Sequence, residues 1–299
     1  MNTYIDYRLR SLFGSTRTLP SVLAILCCCL SFPSGAATQG NDTKALSIFV
    51  SILPQKYLVQ RIGQQHVVVS TMVGPGHSPA TYEPTPKQMA LLGSCDAYFR
   101  IGVPFEAMWI DKIAQANSRL RIFDMQSSPR DLHHHAEHEG IDPHVWTDPV
   151  EVKQLAQQTA HNLAQLDPTH QAEFAANLLR LENDLNDLDQ FIRKTVHDNQ
   201  VKQFMVYHPA WGHFAQEYGL IQIAIEKDGK EPGAKALAQL IETAKTNHIQ
   251  RIFVQKQFNR RSADIIAQAI HAQVVIVDPL AENLIDNIRD FTLKLAQGS

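Results

Sequence analysis

Short runs of β-branched and aromatic residues alternate with amphipathic stretches along most of this chain, and that rhythm restricts the fold more than any other feature. Residues 47–52, 66–73, 97–103 and 121–124 read as buried strands, separated by helical patterns such as 85–92 and 105–117. The rhythm returns after residue 200, with strands at 204–207, 220–225, 251–254 and 273–277. Helical patterns follow them at 211–218, 235–248, 262–271 and 283–295. Such alternation implies parallel sheets covered on both faces, so each half is expected to be a doubly wound α/β lobe.

A different pattern separates the halves. Phe174, Leu178, Leu181, Leu185, Leu188 and Ile192 recur every three or four residues with no Gly or Pro among them, after Asp167 as a cap and Pro168 in the first turn. One helix over 168–197 is predicted, long enough to join the two lobes as a stiff connector. The expected organisation is an N-terminal lobe over 44–166 with a His-rich loop, a linker helix over 167–199 and a C-terminal lobe over 200–299.

The first 37 residues are set aside. Arg8, Arg10 and Arg17 precede an apolar run over 22–30, and Pro33, Ser34, Gly35, Ala36 and Ala37 follow, the order of a secretory signal. That run is shorter than the about 20 residues that span a bilayer. Removal of the segment takes Cys27, Cys28 and Cys29 with it and leaves Cys95, so an exported chain with no internal disulfide is expected. The residues before Cys29 make a poor lipid-attachment signal, which favours a soluble exported protein over a lipid-anchored one. A net charge of −3 supplies no long-range field for nucleic acid or an anionic membrane.

Open α/β sheets bind ligands beyond the carboxyl ends of their strands, where two facing lobes form a cleft. Nucleotide chemistry is not expected there. Gly74-Pro75-Gly76 starts like a dinucleotide fingerprint but meets Pro79 where Gly or Ala belongs, and neither a Walker lysine pattern nor a Gly-x-Ser-x-Gly elbow occurs.

Histidine is the unusual resource: the chain has 14. His133, His134, His135, His138 and His144 crowd one stretch with Glu137, Glu139 and Asp142. Residues 133–139 lack any periodicity and read either as a loop that captures ions weakly or as a solvated polar segment. His134-His135-Ala136-Glu137-His138 matches a reversed zinc-protease pattern, but Gly140 and Asp142-Pro143 argue against the helix that pattern needs. His144 is the better ligand candidate, held between Pro143 and the Asp148-Pro149 helix start. His208 and Asp278 each follow a predicted strand directly and precede a proline. Imidazoles with a carboxylate suit a borderline divalent ion, zinc before manganese.

Five motifs now stand in order: Pro75 to Pro86 with its Thr81-Tyr82-Glu83-Pro84 run, the His-rich loop, Asp142-Pro143-His144 through Asp148-Pro149, Tyr207-His208-Pro209-Ala210-Trp211-Gly212, and Val277-Asp278-Pro279-Leu280. Together they resemble the zinc and manganese solute-binding proteins of bacterial ABC importers, and Gly229 to Pro232 and Ile252-Phe253-Val254 add to the likeness. The resemblance implies two α/β lobes joined by one rigid helix, with a divalent ion between them bound by His144, His208 and Asp278. The family's first ligand usually precedes the Thr-Tyr-Glu-Pro run, where this chain has Ala80. His77 on the same loop is one substitute for it; water, or a carboxylate such as Glu226, is the other. The function implied is a monomeric periplasmic receptor, not an enzyme, that delivers Zn²⁺ to an inner-membrane permease. The competing classes are an exported zinc hydrolase, with Ala80 leaving an open coordination position, and an adhesin with an incidental metal.

Overall fold

A computed structural model describes residues 44–125, 142–227 and 229–297. The expected signal segment over 1–37 and the His133, His134, His135 and His138 stretch lie outside the described residues. No described helix is long and apolar enough to cross a membrane.

The first lobe runs β1 (Leu46–Ile52), α1 (Leu53–Gly63), β2 (Val67–Val73), α2 (Pro86–Leu92), β3 (Ala97–Arg100), α3 (Pro104–Ala116) and β4 (Arg121–Asp124). Two helices then cross between the halves: α4 (Pro149–Leu166) and α5 (Gln171–Asp198). The second lobe runs β5 (Gln203–Val206), α6 (Gly212–Glu217), β6 (Ile221–Ala224), α7 (Ala234–Thr246), β7 (Arg251–Gln255), α8 (Arg261–Ile270), β8 (Gln273–Val277) and α9 (Leu284–Ala296).

Each lobe holds a four-stranded sheet, ordered β2-β1-β3-β4 in the first and β6-β5-β7-β8 in the second, with every pairing parallel. Both sheets are therefore doubly wound, with the direction of winding reversing between β1 and β3 and between β5 and β7. Phe49, Val50, Tyr98 and Phe99 on the central strands are buried because helices cover both faces, whereas the edge strands β4 and β6 keep no buried residue.

The connector differs from its predicted form at one end. A 3-10 turn occupies Pro168–His170, and the α-helix begins at Gln171. Asp167 caps the turn rather than the helix, accepting from the Thr169 amide at 3.2 Å. The 28 residues of α5 extend about 42 Å and pack against α1, α4 and α9. Phe174, Leu181, Leu185, Leu188 and Ile192 face that packing and are fully buried, while Leu178 is half-buried. Asn177 interrupts the apolar stripe, and its amide donates to the Ile62 carbonyl at the end of α1, so its burial leaves no donor stranded. One apolar core runs from β1 through α4 and α5 to Phe204, Trp211 and Phe291, where the last two rings stack 3.6 Å apart. A second cluster, built on Met205, Ile252, Val254 and Ile266, fills the second lobe.

The strand expected over 97–103 stops at Arg100. Glu106 of α3 captures the next amides, accepting from Ile101 at 2.9 Å and Gly102 at 2.7 Å, and Gly102 turns to a φ of +86°. Ser51 of β1 donates to the same carboxylate, so this buried group ties α3 to both central strands.

Candidate metal centre

The carboxyl ends of both sheets face one cleft of about 210 Å³. Its walls come from Ser78, Pro79 and Ala80 after β2, from Pro143, His144 and Trp146 ahead of α4, and from residues that follow β5, β7 and β8. The lining is largely apolar, with two imidazoles at its centre.

His208 stands two residues beyond β5. Its backbone is gripped on both sides by the buried Gln255, whose Oε1 accepts from His208 N at 3.2 Å and whose Nε2 donates to His208 O at 2.8 Å. Phe258 stacks on the ring at 4.9 Å between centroids. Glu226, beyond the end of β6, sits 2.6 Å from His208 Nδ1 and is 4% exposed. His144 is fixed from its own loop: its amide donates to Asp142 Oδ1 at 3.0 Å, and Nδ1 lies 2.6 Å from the same oxygen. Thr147 Oγ1 donates to the His144 carbonyl, closing the turn that Pro143 stiffens.

Asp142 in turn reaches the second lobe. His213 Nε2 lies 3.0 Å from its backbone carbonyl and 4.0 Å from Oδ2. Gly212 makes that approach possible, because a Cβ there would stand 2.6 Å from Asp142 Oδ2. Burial opposes the charge on Asp142, but attraction and hydrogen bonding from His144, with His213 behind it, hold the carboxyl down at about 2.

The two imidazoles meet at 74° with Nε2 atoms 3.3 Å apart. Each Nδ1 faces a carboxylate, so in the neutral rings the proton sits on Nδ1 and both Nε2 atoms are left to accept across the gap. A bound cation, or a proton held between them, relieves that opposition. Tetrahedral zinc with bonds of about 2.0 Å separates its nitrogen ligands by about 3.3 Å, the spacing already present. Carboxylates on the far nitrogens are the outer partners that orient metal-binding imidazoles and raise their basicity. The donor set fits zinc.

Asp278 and His77 are placed differently. Among the described residues no third His, Cys, Asp or Glu completes a trio with the two imidazoles within 4.8 Å. Asp278 follows β8 directly, and its Oδ1 accepts from the Leu280 amide at 3.0 Å and from Gln257 at 3.3 Å. The next residue, Pro279, is tied to the His144 turn by Trp146, whose Nε1 donates to the Pro279 carbonyl at 2.9 Å. His77 is exposed and sets its ring edge-on against Tyr82 at 5.7 Å, while Ala80, three residues on, lines the cleft. Glu226 serves the outer nitrogen of His208 rather than the cleft. Gln255 as the clamp on His208 had no signal in spacing, because the two segments meet only on folding, whereas Asp142 partners His144 from two residues away within the same motif.

Residues 48–298 match the family model described as the periplasmic component A of the zinc-uptake complex. A putative metal-binding protein of Chlamydia trachomatis serovar D is 26% identical over 256 residues, covering 81% of this chain and 87% of that protein. The high-affinity zinc uptake system protein ZnuA of Bacillus subtilis is 25% identical over 274 residues, covering 86% and 85%. Among solved structures, a zinc-bound deletion mutant of ZnuA is 38% identical, superposes with a TM-score of 0.81 and covers 85% of this chain and 98% of its own. The chain belongs to the ZnuA family of zinc-uptake solute-binding proteins.

Proposed function

We propose that Zn²⁺ is captured between His144 and His208, with Asp278 as the third ligand, and is handed on to an ABC permease. The opposed Nε2 lone pairs, each backed by a carboxylate on the other nitrogen, carry this reading. One imidazole precedes α4 and the other follows β5, so the ion's binding energy is available only when both lobes are correctly placed. Binding and lobe position are then one equilibrium. Asp278 Oδ1 is already engaged, so Oδ2 turns to the ion, and the Trp146 to Pro279 bond keeps that loop beside His144. Water takes the fourth position opposite Ala80, since a methyl group cannot coordinate and the His77 ring lies on Tyr82.

This reading makes the chain a periplasmic receptor, exported by the segment over 1–37, monomeric, and without catalytic turnover. Zinc hydrolases commonly set a carboxylate beside the open zinc position to act as base. Asp142 and Glu226 are both committed to imidazoles. Zinc calorimetry on His144→Ala, His208→Ala, Asp278→Ala and His77→Ala tests the ligand set. The first three lose at least about a hundredfold in affinity, more than the loss typical of an outer partner, and His77→Ala binds within about threefold of the parent. Parent-like binding by His144→Ala or His208→Ala would refute the assignment. Metal-dependent ester or peptide hydrolysis would refute the receptor reading.

A further inference from the structure

A second cluster of ligand atoms stands apart from the cleft and shares no residue with it. His66 closes the 3-10 turn Gln64–His66 after α1. Asp167 and His170 bracket the Pro168–His170 turn between α4 and α5, and Glu173 lies in the first turn of α5. Residues three apart eclipse on a 3-10 turn, which puts Asp167 Oδ2 2.5 Å from His170 Nδ1. Across the gap, Glu173 Oε2 is 2.9 Å from His66 Nε2, with the Gln65 amide also 2.9 Å from that nitrogen. The His66 and His170 rings stack 3.7 Å apart and 23° from parallel, and Phe174 packs against both.

Among the described residues, His66, Asp167 and His170 form the one trio whose ligand atoms all fall within 4.8 Å of one another. Their side chains are 14%, 15% and 16% exposed, shielded but within reach of solvent. We propose that His66, His170 and Asp167 bind a second divalent transition-metal ion, with Glu173, which faces His66 from outside that trio, swinging in as the fourth ligand. Two imidazoles and two carboxylates make a donor set for zinc or copper(II), not for calcium or magnesium, which prefer oxygen alone. Nearly parallel rings point their lone pairs side by side, so the ion is received by turning one ring about its Cβ–Cγ bond. This site binds more weakly than the cleft for that reason. Occupied, it pins the end of α1 to the corner where α4 meets α5, at the root of the connecting helix. The inference does not rest on the ligand assignment in the cleft.

Zinc stoichiometry of the full chain, measured at saturation for the parent and for the double variant His66→Ala/His170→Ala, tests it. The cleft and the histidines over 133–138 are common to both proteins, so the difference reads this cluster alone. One ion fewer per chain in the variant is the expected result, and equal stoichiometry overturns the proposal. Because the rings pack on Phe174, a measurement on the unmodified protein stands beside it: zinc-edge anomalous diffraction from zinc-soaked crystals. A peak within about 2.3 Å of both imidazoles supports the site, and its absence there overturns it.

Discussion

Among the described residues, two histidine pairs are built from the same parts and aimed in opposite ways. In the cleft, His144 and His208 cross at 74° and bring two Nε2 atoms to 3.3 Å. At the root of the connecting helix, His66 and His170 lie nearly parallel, 3.7 Å apart. Each cleft imidazole has a carboxylate at 2.6 Å on its far nitrogen, whereas the carboxylates of the stacked pair face the nitrogens an ion would use. Ligand type therefore does not separate the two places. Preorganisation of the imidazoles does: the cleft rings are oriented by outer carboxylates and already stand at the nitrogen spacing of a tetrahedral ion, whereas stacked rings must turn to receive one.

The largest effect expected from breaking that preorganisation comes from the outer carboxylates. Glu226→Gln and Asp142→Asn leave both cleft imidazoles in place yet should weaken zinc binding about 10- to 100-fold, read by competition with a chromophoric chelator. Affinities unchanged from the parent would mean that the Nδ1 contacts are incidental.

Asp142 also supplies a pH test without metal. Its carboxyl is held at about 2, below the ordinary 3.8, by His144 and His213 against the opposing effect of burial. A carboxyl lowered on folding adds stability at every pH above its ordinary value and surrenders it as the pH falls from about 4 to 2. In metal-free protein Asp142→Asn should therefore cost about 2 kcal/mol near pH 5 in denaturant unfolding, with the deficit closing toward pH 2. A deficit that does not shrink in acid would point to lost packing rather than lost charge.

Gly212 extends the same argument to a residue that touches no ion. A methyl group there stands 2.6 Å from Asp142 Oδ2, and that carboxylate is enclosed by His144 and His213. Gly212→Ala should displace it and lower zinc affinity about tenfold, the lower end of the outer-carboxylate range, measured by the same competition titration. Parent-like affinity would show that Asp142 has room to retreat.

How far these features could be read beforehand depends on how far apart in the chain their causes lie. Alternating strands and helices are local, and so is the stripe from Phe174 to Ile192, which is why both lobes and their connector were legible. His208 and Asp278 were singled out because each directly follows a predicted strand, where open α/β sheets hold their ligands; His208 lines the cleft, as do Pro279 and Leu280 beside Asp278. The end of β3 was not legible, since the amides of Ile101 and Gly102 leave the ladder for Glu106, a residue that reads as an ordinary helix-start acid. The stacked pair was beyond reach for a related reason. His66 and His170 are brought together by packing of α1 on α4 and α5, and no spacing rule connects positions so far apart. His77 and Ala80 show the remaining gap: the course of their Pro-Gly-rich loop is set where Tyr82 packs on Phe105 and the Phe105 amide donates to the Pro79 carbonyl, contacts that no local spacing announces.

The smallest expected effect belongs to Glu173. Its side chain is 55% exposed, and the hydrogen bond from His66 is the main reason its carboxyl lies below the ordinary range. The sign matches that of Asp142: stability is gained above the ordinary value of 4.5 and lost as the pH falls through the lowered one. Water and salt screen an exposed pair, so little of that linkage survives as stability. Glu173→Gln in metal-free protein should unfold at the parent's temperature at pH 6, and any small difference at low ionic strength should vanish in about 0.5 M salt, where the screening length is only a few ångströms. Zinc reverses the comparison, because an ion recruits Glu173 as a ligand: with zinc present the parent should gain thermal stability that Glu173→Gln gains less of. A metal-free loss as deep as that of Asp142→Asn would place the stacked pair in the same class as the cleft pair, and the distinction drawn from ring orientation and outer carboxylates would fail.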